Sequence, residues 1–144
     1  MTPEQTQIIR DNWRQVTPIA DTAAKLFYER LFEIDPAVKP LFANTDMTAQ
    51  RGRLLDAIAL VIAGLERVET LRPTLSDLGR RHVSYGVEDH HYDSVGAALL
   101  WTLKEGLGDN WTPEAEAAWT EAFGVIAGAM RKGAEAETTP RLDA

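Results

Sequence analysis

Apolar residues recur along this chain at intervals of three and four almost from its first residue, and the pattern breaks at sequences that cap helices. Thr2-Pro3-Glu4-Gln5 opens the first helix with a capping threonine, proline at the first helical position and glutamine at the third. Ile9, Trp13 and Val16 follow as its apolar stripe. Thr17-Pro18 restarts the pattern with Ala24, Phe27, Tyr28, Leu31 and Ile34, until Asp35-Pro36 ends it. Beyond the irregular stretch KPLFANTDMT, a third and longer helix carries Leu54, Leu55, Ile58, Val61, Ile62 and Leu65 on one face. Pro73 reads as the start of a short helix that Gly86 stops. A further helix begins near His91 or Tyr92 and continues through Val95, Leu99, Leu103 and Leu107 to the turn GLGDNW. Thr112-Pro113-Glu114 caps the last helix, which holds Trp119, Phe123, Ile126 and Met130. Strand-like alternation and internal repeats are absent. The pattern predicts an all-α domain over residues 1–134 and a polar, frayed tail over 135–144.

Composition narrows what such a domain can do. At 144 residues the chain has the length of one domain, and a compact fold of that size buries roughly 70% of the surface its unfolded chain exposes. It contains no cysteine, which excludes disulfides, thiolate metal sites and a cysteine nucleophile. A net charge of −7 argues against nucleic acid or an anionic membrane as partner. The polar N-terminus lacks the apolar core of a signal peptide, and the longest apolar run, Ala57 to Ala63, is too short to span a bilayer. The expectation is a soluble, cytoplasmic protein with no nucleic-acid and no membrane partner.

The three histidines all lie in GRRHVSYGVEDHHYDSVG, from Gly79 to Gly96. Leu75, Leu78, His82 and Tyr85 follow one another at helical spacing, so His82 falls on an apolar face while Arg80 and Arg81 point away. Two readings of His82 stay open on the residues alone. It is either a core histidine with one ring nitrogen satisfied by backbone or water, or a metal ligand. There is no HxxxH, HExxH or cysteine to complete a protein-only cage. A metal held by His82 would therefore take its other donors from a cofactor, as haem iron does. His90 and His91, being neighbours, are expected to point in different directions in a solvated loop and not to share a metal.

These pieces resemble the globin family. A helix ending in Ile-Asp-Pro, a Leu-Phe pair after it, a long helix and then GRRH…YGV are similar in order and spacing to the single-domain bacterial haemoglobins related to flavohaemoglobin, with some neuroglobin-like features. The resemblance covers about Thr2 to Lys132. Pro36 matches the family's helix-corner proline, and Phe42, six residues on, matches the phenylalanine that stacks on the porphyrin. Tyr28, eight residues before Pro36, matches the distal tyrosine of the bacterial group. Gln50 and Leu54 match the distal glutamine and the leucine one turn later, and Arg53 falls where relatives place a basic residue near a haem propionate. His82 follows Leu54 by 28 residues, as the proximal histidine does. Trp13, Val87 and the run GVIAG from Gly124 agree as well.

What the resemblance implies is a globin fold of about six to eight helices around one haem b per chain. Its iron would be ligated by His82, with dioxygen, CO or NO as the gaseous partners. Phe42, Leu54, Leu78, Val87 and Val95 would form the apolar walls. Tyr28 and Gln50 would stabilise bound oxygen, implying slow release, although Tyr28 also reads as a core tyrosine, and Gln50 and Arg53 as solvated helix positions. Tyr92, ten residues after His82, would belong to the proximal network. The group's buried glutamate in the last helix corresponds here to Ala134, with Glu135 beside it, which weakens the case for peroxidase-like activation of oxygen. A nitric oxide dioxygenase is the alternative function. It would need an external reductase, because a chain of this length leaves no room for a flavin or nicotinamide domain. A haem-based sensor is the other alternative.

Overall fold

In a computed structural model of the chain, the structure describes residues 1–138, and the regular elements among them are helical. Six α-helices follow one another: α1 (Pro3–Val16), α2 (Ala20–Ile34), α3 (Met47–Ala63), α4 (Val68–Ser84), α5 (His91–Leu107) and α6 (Pro113–Thr138). Thus α6 continues through Thr138, and residues 139–144 of the expected tail lie outside the described residues. No helix among the described residues is long and apolar enough to cross a membrane.

The helix starts are set by local chemistry. Thr2 Oγ1 accepts the Gln5 N–H at 3.1 Å while Gln5 Oε1 accepts the Thr2 N–H at 2.9 Å, a reciprocal pair that satisfies two otherwise orphaned donors of α1. Asp46 Oδ1 does the same for α3, accepting the N–H groups of Thr48 and Ala49. Between α2 and α3, a 3₁₀ segment over Pro36–Phe42 begins at the expected corner and delivers Phe42 to the interior.

The expected start of α4 is wrong. Helix α4 begins at Val68, five residues before Pro73, and runs through the proline. The missing N–H of Pro73 removes only the bond to the carbonyl of Glu69, within the first turns, and both residues are exposed, so water can satisfy that carbonyl. The stop is as expected. Gly86 has φ +92°, its N–H donates to the Val83 carbonyl, and the Val87 N–H donates to the His82 carbonyl at 3.0 Å. This paired arrangement closes α4 around the very turn that carries His82.

The core forms three adjoining clusters. The first gathers Ile9, Val16, Ile62, Leu103 and Trp119, with Trp13 packed against it. Within it the Trp119 Nε1–H donates to Asn12 Oδ1 at 3.0 Å, so the buried indole is satisfied. The second holds Phe27, Tyr28, Leu31, Val38 and Ala98. The third holds Leu71, Leu75, Tyr92, Ala127 and Met130. Helix α5 runs from the third to the second, contributing Tyr92 to one and Ala98 to the other.

Helices α4 and α6 meet backbone to backbone. A Cβ added at Gly79 would overlap the Met130 carbonyl, and one added at Gly133 would overlap the Ser76 carbonyl. Two glycines on facing helices thus each admit the other helix's main chain, and Gly79 lies one turn before His82. This contact positions the histidine.

Candidate functional site

The second cluster carries a directed chain of polar groups. Tyr28, buried on α2, sits among aromatic rings, with centroids 5.0 Å from Phe27, 5.6 Å from Phe42 and 6.2 Å from Phe32. Gln50, on the first turn of α3, donates from Nε2 to the Tyr28 Oη at 3.0 Å. Its Oε1 in turn accepts from Arg53 Nη2 at 2.8 Å and Nε at 3.2 Å. A guanidinium can only donate, so it fixes which end of the amide faces it and turns the NH₂ toward the phenol. Every bond in the chain therefore runs toward Tyr28, whose oxygen accepts while its own proton remains available. Arg53 is exposed, and the role the structure gives it is to orient Gln50.

Burial raises the Tyr28 pKa above its ordinary value of 10.0; the Gln50 hydrogen bond and the Arg53 charge pull the other way and only partly offset it. The phenol is thus a proton donor throughout the neutral range. Because the folded protein holds this proton more tightly than the unfolded chain, stability should fall as pH rises beyond 10.0. In an alkaline titration followed by phenolate absorbance, Tyr28→Phe should lose one late-titrating phenol. Retention of the complete high-pH step would contradict this account.

His82 stands on α4 with its side chain half-buried. Its Nδ1 lies 2.6 Å from the Leu78 carbonyl oxygen, one turn back on the same helix. A carbonyl only accepts, so Nδ1 carries the hydrogen and Nε2 keeps its lone pair. Burial lowers the His82 pKa, the Leu78 bond partly opposes this, and Arg81 adds to the lowering. The result is a neutral imidazole with one oriented donor nitrogen, the form a metal requires.

The proposed walls divide between two clusters. Phe42, Leu54 and Val95 pack against the second, and Leu78 and Val87 against the third. All five are only half-buried by the protein itself, which leaves apolar surface for a large ligand to cover. The two sides adjoin at Gly86, where an added Cβ would come within 3.0 Å of Leu41, the neighbour of Phe42. An apolar lining, a neutral histidine donor and an uncommitted phenolic proton fit a haem.

Tyr92 is buried, but no hydrogen bond joins it to His82, whose Nδ1 is taken by Leu78. Its Oη is buried with no hydrogen-bond partner among the described residues. Arg131 of α6, invisible to the sequence reading, lies 5.1 Å over the Tyr92 ring and pairs with Asp89 at 2.9 Å and Asp93 at 3.2 Å. Burial is the main cause raising the Tyr92 pKa, with Arg131 opposing and Asp89 adding to it. At the position that the resemblance assigns to a buried glutamate, Ala134 is half-buried, and the neighbouring Glu135 is exposed.

The two adjacent histidines also differ from expectation. His90 is exposed, as a loop residue should be, but His91 is the first residue of α5 and is buried. Its Nδ1 accepts the Glu88 N–H at 2.9 Å. The tight turn that starts α5 folds the His91 ring back over Glu88, bringing its centroid to 4.2 Å from that of His90. Sequence neighbours diverge on a regular element, and this turn is not one.

Comparison with known proteins shows the family. A family model described as Globin matches residues 25–130. Over 126 residues the chain is 32% identical to a flavohemoprotein of Bacillus subtilis (strain 168), covering 86% of this chain and 32% of that protein. It therefore spans about a third of the length of that relative. Over 133 residues it is 30% identical to the anaerobic nitrite reductase NSHB5 of Oryza sativa subsp. indica, covering 89% of this chain and 92% of that one. The solved structure of a bacterial globin from Campylobacter jejuni is similar with a TM-score of 0.81 at 30% identity, covering 94% of this chain and 97% of the other.

Proposed function

The chain belongs to the globin family, and on that premise we propose that it binds one haem b through Nε2 of His82 and takes dioxygen, CO or NO on the Tyr28 side. Haem, when bound, supplies an iron with an axial position open to a diatomic molecule. The protein's own residues do the rest. His82 offers a lone pair because Leu78 holds its other nitrogen protonated and burial keeps the ring neutral. Phe42, Leu54, Leu78, Val87 and Val95 present apolar surface that excludes water and contributes binding energy for a macrocycle.

The observation that carries this reading is the direction of the Arg53–Gln50–Tyr28 chain, which leaves the Tyr28 proton without an acceptor among the described residues. That proton can be donated to a ligand that gathers negative charge, as dioxygen does. Hydrogen bonds to charged groups contribute about 1.5–3 kcal/mol, so Tyr28→Phe should speed oxygen release by about 10- to 150-fold. Stopped-flow displacement of oxygen by CO measures this, and an unchanged release rate would remove Tyr28 from the role.

The likeness to flavohemoproteins supports a second reading, nitric oxide dioxygenation with a separate reductase. Mixing the oxygenated protein with nitric oxide and following nitrate over repeated turnovers, with and without a reductase, distinguishes catalysis from simple ligand binding.

A further inference from the structure

Besides the residues assigned to the Tyr28–His82 site, three side chains from two parts of the chain converge. Asp35 caps the end of α2, His90 immediately precedes α5, and His91 begins it. One ligand atom from each lies within 4.8 Å of the other two. The group spans the full range of burial: His91 is buried, Asp35 half-buried and His90 exposed. We propose that Asp35, His90 and His91 form a binding site for a divalent transition-metal ion of the zinc type, distinct from any haem site.

The donor set selects the class of ion. Two imidazoles and one carboxylate suit Zn²⁺ and its neighbours in the first transition row, whereas Mg²⁺ and Ca²⁺ demand mostly oxygen ligands. Three protein donors leave at least one position for water, the composition of an open zinc site. Bond lengths of about 2.0–2.1 Å place tetrahedral ligands about 3.3–3.5 Å apart, so the donors must close by at most about 1.5 Å. His90, which is exposed and has room to change rotamer, can supply that movement.

Two of the three donors are already held in place. Ser94, one turn into α5, donates from Oγ to Asp35 Oδ2 at 2.9 Å, which fixes the carboxylate and leaves its second oxygen to bind. His91 is held by burial, and without a metal its Nδ1 accepts the Glu88 N–H. That hydrogen bond must yield or readjust when a metal enters, and Glu88 is exposed, so its amide can turn to water. The Glu88 carboxylate, 3.5 Å from His90 Nδ1, attracts a cation to the same corner. An ion here would tie the end of α2 to the start of α5 and so stabilise the fold by binding only its native form.

Equilibrium dialysis of the haem-loaded protein against Zn²⁺ tests the site, with Mg²⁺ as a parallel arm and a thermal melt of each sample. One Zn²⁺ per chain should bind and raise the melting temperature, and Mg²⁺ should do neither. Because losing an outer-shell partner alone weakens metal sites by 10- to 100-fold, His90→Gln and Asp35→Asn should each weaken Zn²⁺ binding by at least about 10-fold. Both spare the buried His91, and Asp35→Asn keeps an acceptor for Ser94. The haem absorption spectrum of His90→Gln should match that of the unaltered protein. Absence of saturable Zn²⁺ binding, or wild-type affinity in either variant, overturns the proposal.

Discussion

Replacing His82 with alanine should abolish the axial bond to haem while leaving the helical fold in place. The ring is half-buried and its Nδ1–H reaches a carbonyl of its own helix, so its removal opens little core and orphans no distant partner. The ligand function has no substitute, because His90 and His91 belong to the turn before α5 and its first residue. Loss of a group that merely orients a metal ligand costs 10- to 100-fold in affinity, so loss of the ligand itself should cost at least about 100-fold. Absorption spectra of the ferric, ferrous and CO forms, together with the rate of haem transfer to an acceptor protein, report the change. Circular dichroism at matched concentration verifies that the fold persists. A Soret band of unaltered position and a normal transfer rate in this variant would eliminate His82 as the ligand.

Gly79→Ala should be the most damaging single-methyl change on α4. The added carbon would overlap the Met130 carbonyl, part of a helix backbone that cannot step aside as a side chain can. Overpacking of this kind costs typically 1–3 kcal/mol, and backbone contact places this site at the upper end, about 3 kcal/mol. For a chain of this size that corresponds to a melting temperature lower by roughly 6–12 °C. The shift also moves the turn that carries His82, so haem should be released faster as well. Gly124→Ala on α6 is the matched control, since nothing lies within 4 Å of its added Cβ. It should be neutral or raise stability by up to about 1 kcal/mol, because alanine is the better helix former. Equal effects of the two changes would mean that the α4–α6 contact does not hold the helices as described.

Much of the helical framework was legible because it is built from local signals. Capping residues, proline at helix starts and apolar spacing act over a few residues, and they indicated all six helices and the starts of most of them, while the ends of α3 and α6 differ from the pattern by a few residues. The exception is instructive. Pro73 is a strong local start signal, yet the five residues before it and the eleven after it fold as one helix, since the lost hydrogen bond lies where solvent replaces it. The family and its candidate residues were legible from spacing: Tyr28 to Pro36 to Phe42, and Leu54 to His82.

Other features depended on which atoms meet. The spacing of Arg53, Gln50 and Tyr28 carries no information about the orientation of an amide, which is settled when a guanidinium from the next turn claims its oxygen. Arg131 gave no sign of approaching Tyr92, because it comes from a helix far along the chain. The convergence of His90 and His91 with Asp35 needed both a turn and a helix packing. Glycine leaves no mark in an apolar pattern, so the close approach of Gly79 to the Met130 backbone and of Gly133 to the Ser76 backbone was silent. By itself, then, the sequence determined most of the helices and the family, and it singled out His82 as the candidate ligand, because these rest on short-range chemistry and spacing. Only the tertiary structure decided where protons point and how close α4 comes to α6, because those depend on atoms brought together from distant parts of the chain.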